Sequence, residues 1–202
     1  MKMSKPIIVL AAVLLSTGAL SAWGQGGAQP APASRTTLMV NPLGFLQFGP
    51  IAQLEIPVSR NLSVLAHVRL HGLGLLSYLL FSDTPAFWSV AAGSGVRYFF
   101  RSGSSPNAPY LGALVEVGYN PYSANVGYSD EYAGSAVYTT FTVNGGYRWR
   151  FNTFFLEVGG YLGASPTLWS QYHYVSAPSV IIDGNTPVVF FGMAEVSVGW
   201  QL

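Results

Sequence analysis

The sequence predicts an all-β protein, an eight-stranded up-and-down antiparallel β-barrel that spans a membrane. Three observations carry this expectation. Charged residues make up 8% of the 202 residues while half are hydrophobic, against about 25% charged in an ordinary soluble domain. Apolar and polar residues alternate with a period of two along most of the chain, the signature of strands with two unlike faces. Beyond the N-terminus no apolar run reaches the roughly 18 residues that a helical span requires.

Residues 1–24 read as a secretory signal, with Lys2 and Lys5 ahead of the apolar run PIIVLAAVLL and small residues before Gly24. With no cysteine in the chain, a lipid-anchored N-terminus is not expected. Removing this segment takes both lysines and leaves seven arginines against eight acids, a formal charge of −1. That balance offers no basic surface for nucleic acid. Residues 25–35, rich in Gly, Ala and Pro, read as a flexible periplasmic linker.

The barrel then occupies 36–202. Its strands are expected at 36–47, 51–59, 62–76, 87–100, 109–120, 135–150, 153–164 and 188–202, each near the 9–11 residues of a tilted membrane strand. The Gly-Pro turn at 49–50 is short, so 36–58 could instead be one bent strand, with another hidden in 169–182. Connections 102–108 and 151–152 are short or plain, whereas 121–134 and 165–187 are long. Short turns on one side and long loops on the other suit a barrel with both ends in the periplasm.

The faces are sorted. In 87–100, Val90, Ala92, Val96 and Tyr98 oppose Gly93, Gly95 and Arg97; in 135–150, Phe141, Val143 and Tyr147 oppose Thr142, Asn144 and Arg148. Apolar residues are expected to face lipid and polar ones the lumen, the inverse of a soluble barrel. The outward aromatics Trp88, Phe100, Tyr119, Trp149, Phe154 and Trp200 fall near strand ends, as in the aromatic girdles of membrane interfaces. The closing stretch AEVSVGWQL carries the same alternation and is expected to pair with the first strand, removing the sheet edge.

On the inner face lie Glu55, Glu116, Glu157 and Glu195 with Arg69, Arg97, Arg148 and Arg150, and with His67 and His71 beside Arg69. Four positive and four negative groups in a lumen that eight strands leave just filled by side chains point to a structural charge network, since buried charges persist only when paired. Asp83, Asp130, Glu131 and Asp183 fall in the expected outside loops.

The search for chemistry yields little. His67 and His71, four apart on a strand, stand about 13 Å apart by rise alone, a poor metal pair. His173, near Ser170, Ser176 and Asp183, is the one candidate for a lipid hydrolase at the outer leaflet, but Val175 stands where barrel deacylases of lipid A carry their serine. No metal cluster, phosphate-binding loop or dinucleotide motif occurs, and neither cofactor nor catalytic residue is expected. The Tyr, Ser, Asn and Gly of the long loops suit a contact surface for a ligand.

The stretches NPLGFLQFGPIAQLEIPVSRNLSV, GVRYFF, GYRWRFNTFFLEVGGYLG and VSVGWQL resemble small bacterial eight-stranded outer-membrane barrels of OmpA/OmpX-like architecture. The likeness covers 36–202, though the chain ends in Leu202 where such barrels usually end in Phe. It implies a monomer in the outer membrane of a Gram-negative bacterium, inserted by machinery that reads the last strand, and it implies no catalytic residues. The expected role is structural or surface-interacting with a plugged lumen; a narrow, porin-like small-solute pore and an outer-leaflet lipid hydrolase are the alternatives.

Overall fold

The computed structural model describes residues 35–47, 49–71, 75, 89–101, 106–124, 127–184 and 188–202, excepting the side chains of 122 and 124. The expected signal segment, most of the linker, Asp83 and Trp88 lie outside them. Ten strands form: β1 (Thr37–Asn41), β2 (Ile51–Pro57), β3 (Leu62–Leu70), β4 (Val90–Phe99), β5 (Ala108–Ala124), β6 (Tyr132–Phe151), β7 (Phe154–Ser165), β8 (Thr167–Tyr174), β9 (Ala177–Asp183) and β10 (Val189–Gln201).

Strands β1 to β7 pair each with the next, β7 pairs with β10, and β10 returns to β1, all antiparallel. The result is a closed eight-stranded barrel. At the seam Thr37 stands opposite Gln201 and Val40 opposite Val198, so the last strand covers the edge that the first would expose. The start of β1, the end of β10 and the strand ends that lead into the β2–β3, β4–β5 and β6–β7 connections lie at one end, here the terminal end. The other is the loop end.

The region 36–58 forms two strands, but the first is shorter than the alternation suggests. Pro42 lacks an N–H for the ladder. The Asn41 side chain instead accepts a hydrogen bond from Gly44 N at 3.3 Å and caps a 3-10 turn over Pro42–Phe45. The connection is therefore 42–50. Gly49 in it has a φ of 99°, and a Cβ there would meet the Leu70 carbonyl oxygen at 1.9 Å. Only glycine fits.

The two long outside loops are corrected more substantially. Strands β5 and β6 continue to Ala124 and from Tyr132, so half of 121–134 is a hairpin stem. Most of 165–187 is the hairpin β8–β9. β6, 20 residues long, pairs with β7 along its terminal half and with β8 along its loop half. The exchange occurs at Pro166, whose carbonyl accepts from Thr139 N at 3.1 Å beside a register shift at Val137 and Tyr138. A sheet of β5, β6, β8 and β9 thus projects beyond the barrel wall, by roughly 30 Å of strand at 3.4 Å per residue along β6.

The wall is inside-out relative to a soluble barrel. Leu111, Phe141 and Leu162 are 57%, 56% and 68% exposed, whereas Arg97 and Glu157 are fully buried. Exposed apolar side chains, among them Leu38, Ile56, Val68, Val96, Val115, Val143, Val158 and Trp200, occur on all eight barrel strands. Inside, Met39, Leu65, Leu114, Phe155 and Tyr161 form one apolar cluster and Phe99, Ala108 and Tyr110 a second.

At the β6–β7 turn Phe151 pairs with Phe154, leaving Asn152 and Thr153 as the turn, with Asn152 at a φ of 56°. Asparagine tolerates this left-handed region and β-branched residues do not. Asn152→Val is expected to lower unfolding stability by about 1–3 kcal/mol, while Asn152→Gly leaves it unchanged or slightly higher, read as urea midpoints in lipid vesicles.

Candidate functional site: the lumen charge network

The inward positions are set by strand parity, and the register then decides which of them meet. Glu55, Arg97, Arg148, Glu157 and Glu195 come together toward the terminal end. Arg97 Nη1 lies 3.0 Å from Glu157 Oε2 and 3.4 Å from Glu55 Oε2, and its Nη2 is 3.8 Å from Glu195 Oε1. Arg148 donates to both oxygens of Glu55, at 2.9 and 2.7 Å, and forks onto Glu157. Two guanidinium groups therefore bridge two carboxylates in a closed square. Bidentate geometry of this kind is the arrangement in which arginine best offsets its loss of water.

Glu195, the third carboxylate, is held mainly by hydroxyls. Tyr110 donates to its Oε2 at 2.8 Å, and Tyr161 and Ser197 donate to its Oε1 at 2.9 Å each. Ser63 completes Glu55 at 3.2 Å, and Asn144, with its amide turned so that the oxygen faces Arg97, accepts from Nη2 at 3.1 Å and donates to the Gly112 carbonyl. Aromatic faces supply the remaining shell. Arg148 is sandwiched between Phe99 and Phe155, at 4.5 and 4.2 Å from the ring centres, and Arg97 lies 4.3 Å above Tyr110. Desolvated cation–π contacts are worth about 2 kcal/mol each.

Glycines make the reach possible. Tyr110, Gly146, Gly159 and Glu195 lie in one cross-strand row over four adjacent strands. With no side chain on the middle two, the Tyr110 ring lies flat along the wall to Glu195. A Cβ on Gly146 would meet Val158 O at 2.4 Å and the Tyr110 hydroxyl at 2.8 Å. Gly199 likewise receives the Phe155 ring, at 2.1 Å from where its Cβ would be.

A second cluster lies toward the loop end. His67 Nε2 is 2.8 Å from Glu116 Oε2, Arg69 Nε is 3.3 Å from Glu116 Oε1, and His71 Nε2 is 3.9 Å from the same oxygen. Gly93 stands between His67 and Glu116 in the register and leaves room for them to touch. The strand spacing of the two histidines is thus overcome by a third residue on another strand. Among the described residues there is no group of acids, histidines and cysteines that could hold a metal.

Arg150 is a correction. It shares the parity of Arg148 but lies at the end of β6, half-buried at the terminal rim, with its backbone N bonded to Asn107 Oδ1 at 2.8 Å and no carboxylate within ion-pair distance among the described residues. The square closes with two arginines. Of the expected girdle, Phe100, Tyr119, Trp149 and Trp200 are exposed and Phe154 is half-buried. Phe154 stacks against Phe151 and meets Trp200 edge-on at 5.9 Å. His173 lies on β8 opposite Ile181, and Asp183 accepts from Gln171 Nε2 at 3.0 Å.

Tyr110, Phe99 and Phe155 are network partners that the sequence reading passed over. Parity with Gly112, Arg97 and Glu157 marks all three as inward. Comparison with protein-family models, with curated proteins and with solved structures finds no match.

Two substitution pairs test the network. Arg148→Met strands Glu55 and Glu157 and is expected to cost about 3–5 kcal/mol, whereas Arg150→Met at the rim stays within about 0.5 kcal/mol, both from urea unfolding in vesicles. Gly146→Ala overpacks the Tyr110 row and should cost about 1–3 kcal/mol. The adjacent Gly145, whose Cβ would meet nothing closer than 3.4 Å, should accept alanine with no measurable loss.

Proposed function

We propose that the chain is a monomeric outer-membrane β-barrel of a double-membraned bacterium, with a plugged lumen and a structural or surface-interacting role at its loop end. The observation that carries this reading is the polarity of the closed wall. An apolar belt runs round all eight strands, and the ionised side chains of the wall are gathered inside. In water that belt would be a single apolar surface far beyond the few hundred Å² a soluble monomer exposes. In lipid it is the required outer surface, and a closed barrel is the one strand-built form that satisfies its backbone there.

The bonded square and the two apolar clusters fill the interior where a conducting path would run, which favours a plug over a pore. The projecting sheet supports the surface role. Its outer strand β9 exposes Val180 and Ile181, and its rim carries Tyr128, Tyr172 and Tyr174. Chains of this kind reach the membrane through insertion machinery that reads the closing strand, here ending VSVGWQL.

Electrophoresis of the outer-membrane fraction, boiled and unboiled, tests the reading. A band whose mobility changes on heating is expected, together with electrical silence in planar bilayers. A soluble protein without a heat shift would overturn the membrane assignment, and steady conductance would overturn the plug.

A further inference from the structure

The charges that do not enter the lumen are sorted by end. From residue 35 onward, every arginine outside the two lumen clusters lies at the terminal end: Arg35 ahead of β1, Arg60 between β2 and β3, Arg101 between β4 and β5, and Arg150 at the close of β6. No acidic side chain occurs in the sequence of those connections. At the loop end the reverse holds among the described residues, with Asp130, Glu131 and Asp183 in the hairpins there and no lysine or arginine.

The arginines form a group rather than a scatter. Arg60, Arg101 and Arg150 come from three successive hairpins of the terminal end, and protonation of Arg101 is disfavoured first by its partial burial, then by the positive charges of Arg150, Arg148 and, least, Arg60, with Glu55 pulling the other way. Arg101 lies 5.0 Å over the Phe99 ring, and the Nε atoms of both Arg101 and Arg150 are buried without a hydrogen-bond partner. The unpartnered Nε donors of Arg101 and Arg150, close to further positive charge, call for an anion. The exposed aromatics Tyr98, Phe100, Trp149, Phe151 and Trp200 stand on the outer wall at the same end, at the level where interfacial rings meet headgroups. An anion presented at that level is the phosphate of a lipid.

We propose that Arg60, Arg101 and Arg150 form a collar that binds the phosphates of anionic phospholipids in the leaflet at the terminal end. The proposal rests on the membrane reading above. Each arginine near an anionic surface is worth roughly fivefold in affinity, hence about a hundredfold for three. A guanidinium adds bidentate contact with phosphate oxygens.

The test uses the full mature chain folded in neutral detergent, titrated with phosphatidylglycerol or phosphatidylcholine and read by native mass spectrometry. The wild type is expected to retain phosphatidylglycerol about a hundredfold more tightly. Arg60→Gln, Arg101→Gln and Arg150→Gln together should bring the two lipids level, while Asp130→Asn with Glu131→Gln should change nothing. Equal retention of both lipids by the wild type would overturn the collar, as would a preference that survives the triple substitution. Should the triple variant not fold, raising salt from 50 to 500 mM on the wild type decides: a preference that persists overturns the proposal, and one that collapses upholds it. A chain giving no heat-modifiable barrel in any detergent would instead sink the membrane reading.

Discussion

The rest of the structure depends on the need to fill a narrow closed lumen with groups that satisfy one another. Eight strands leave an interior about as wide as its own side chains, and a charge buried there is costly unless another side chain meets it. Arg97 and Arg148 meet this constraint by reaching across the barrel to carboxylates from three other strands. Once they are placed, much else follows: glycines where a tyrosine or phenylalanine must lie against the wall, aromatic plates above and below the guanidinium planes, and hydroxyls on the remaining carboxylate. A buried ion network of this kind is a weak source of net stability but a strong constraint on register. A one-residue slip of any strand that carries one of these charges would turn it into the apolar belt.

Parity made much of this legible in the sequence. Each of the four lumen glutamates could be assigned its face from alternation alone, because a strand gives a side chain only two directions. Depth is another matter. Parity put Arg150 beside Arg148, yet the register sets it at the rim, past the last carboxylate. The alternation through 42–47 likewise imitated a strand, although Asn41 and Pro42 carry the local chemistry of a capped turn. Strands β8 and β9 lie where the sequence shows an outside loop, or at most one hidden strand in 169–182, because no sustained apolar and polar alternation marks the segment despite its Tyr, Val and Ile. Their pairing comes from the long β6 beside them, a tertiary effect that composition does not carry.

The two ends of the barrel are chemically unlike. One is compact, arginine-bearing and ringed by aromatics, and the other is extended, acidic and rich in tyrosine. A cylinder with unlike ends has a direction, and the charge sorting runs in the same sense as the division into short turns and long hairpins. The two devices are independent, since one depends on chain length and the other on residue type.

The seam between β1 and β10 has a kinetic meaning. Thr37 and Gln201 are partners with about 160 residues between them, so the ladder that closes the ring joins the most distant parts of the wall. Loop closure on that scale is entropically expensive before any bond is returned, and topologies dominated by such contacts form slowly. Until the seam forms, two strand edges stand open and the arginine square has only part of its wall. The barrel is therefore a lock whose last-formed joint is the one where its two ends meet, and until that joint forms the two unpaired edges are open to any strand that can pair with them.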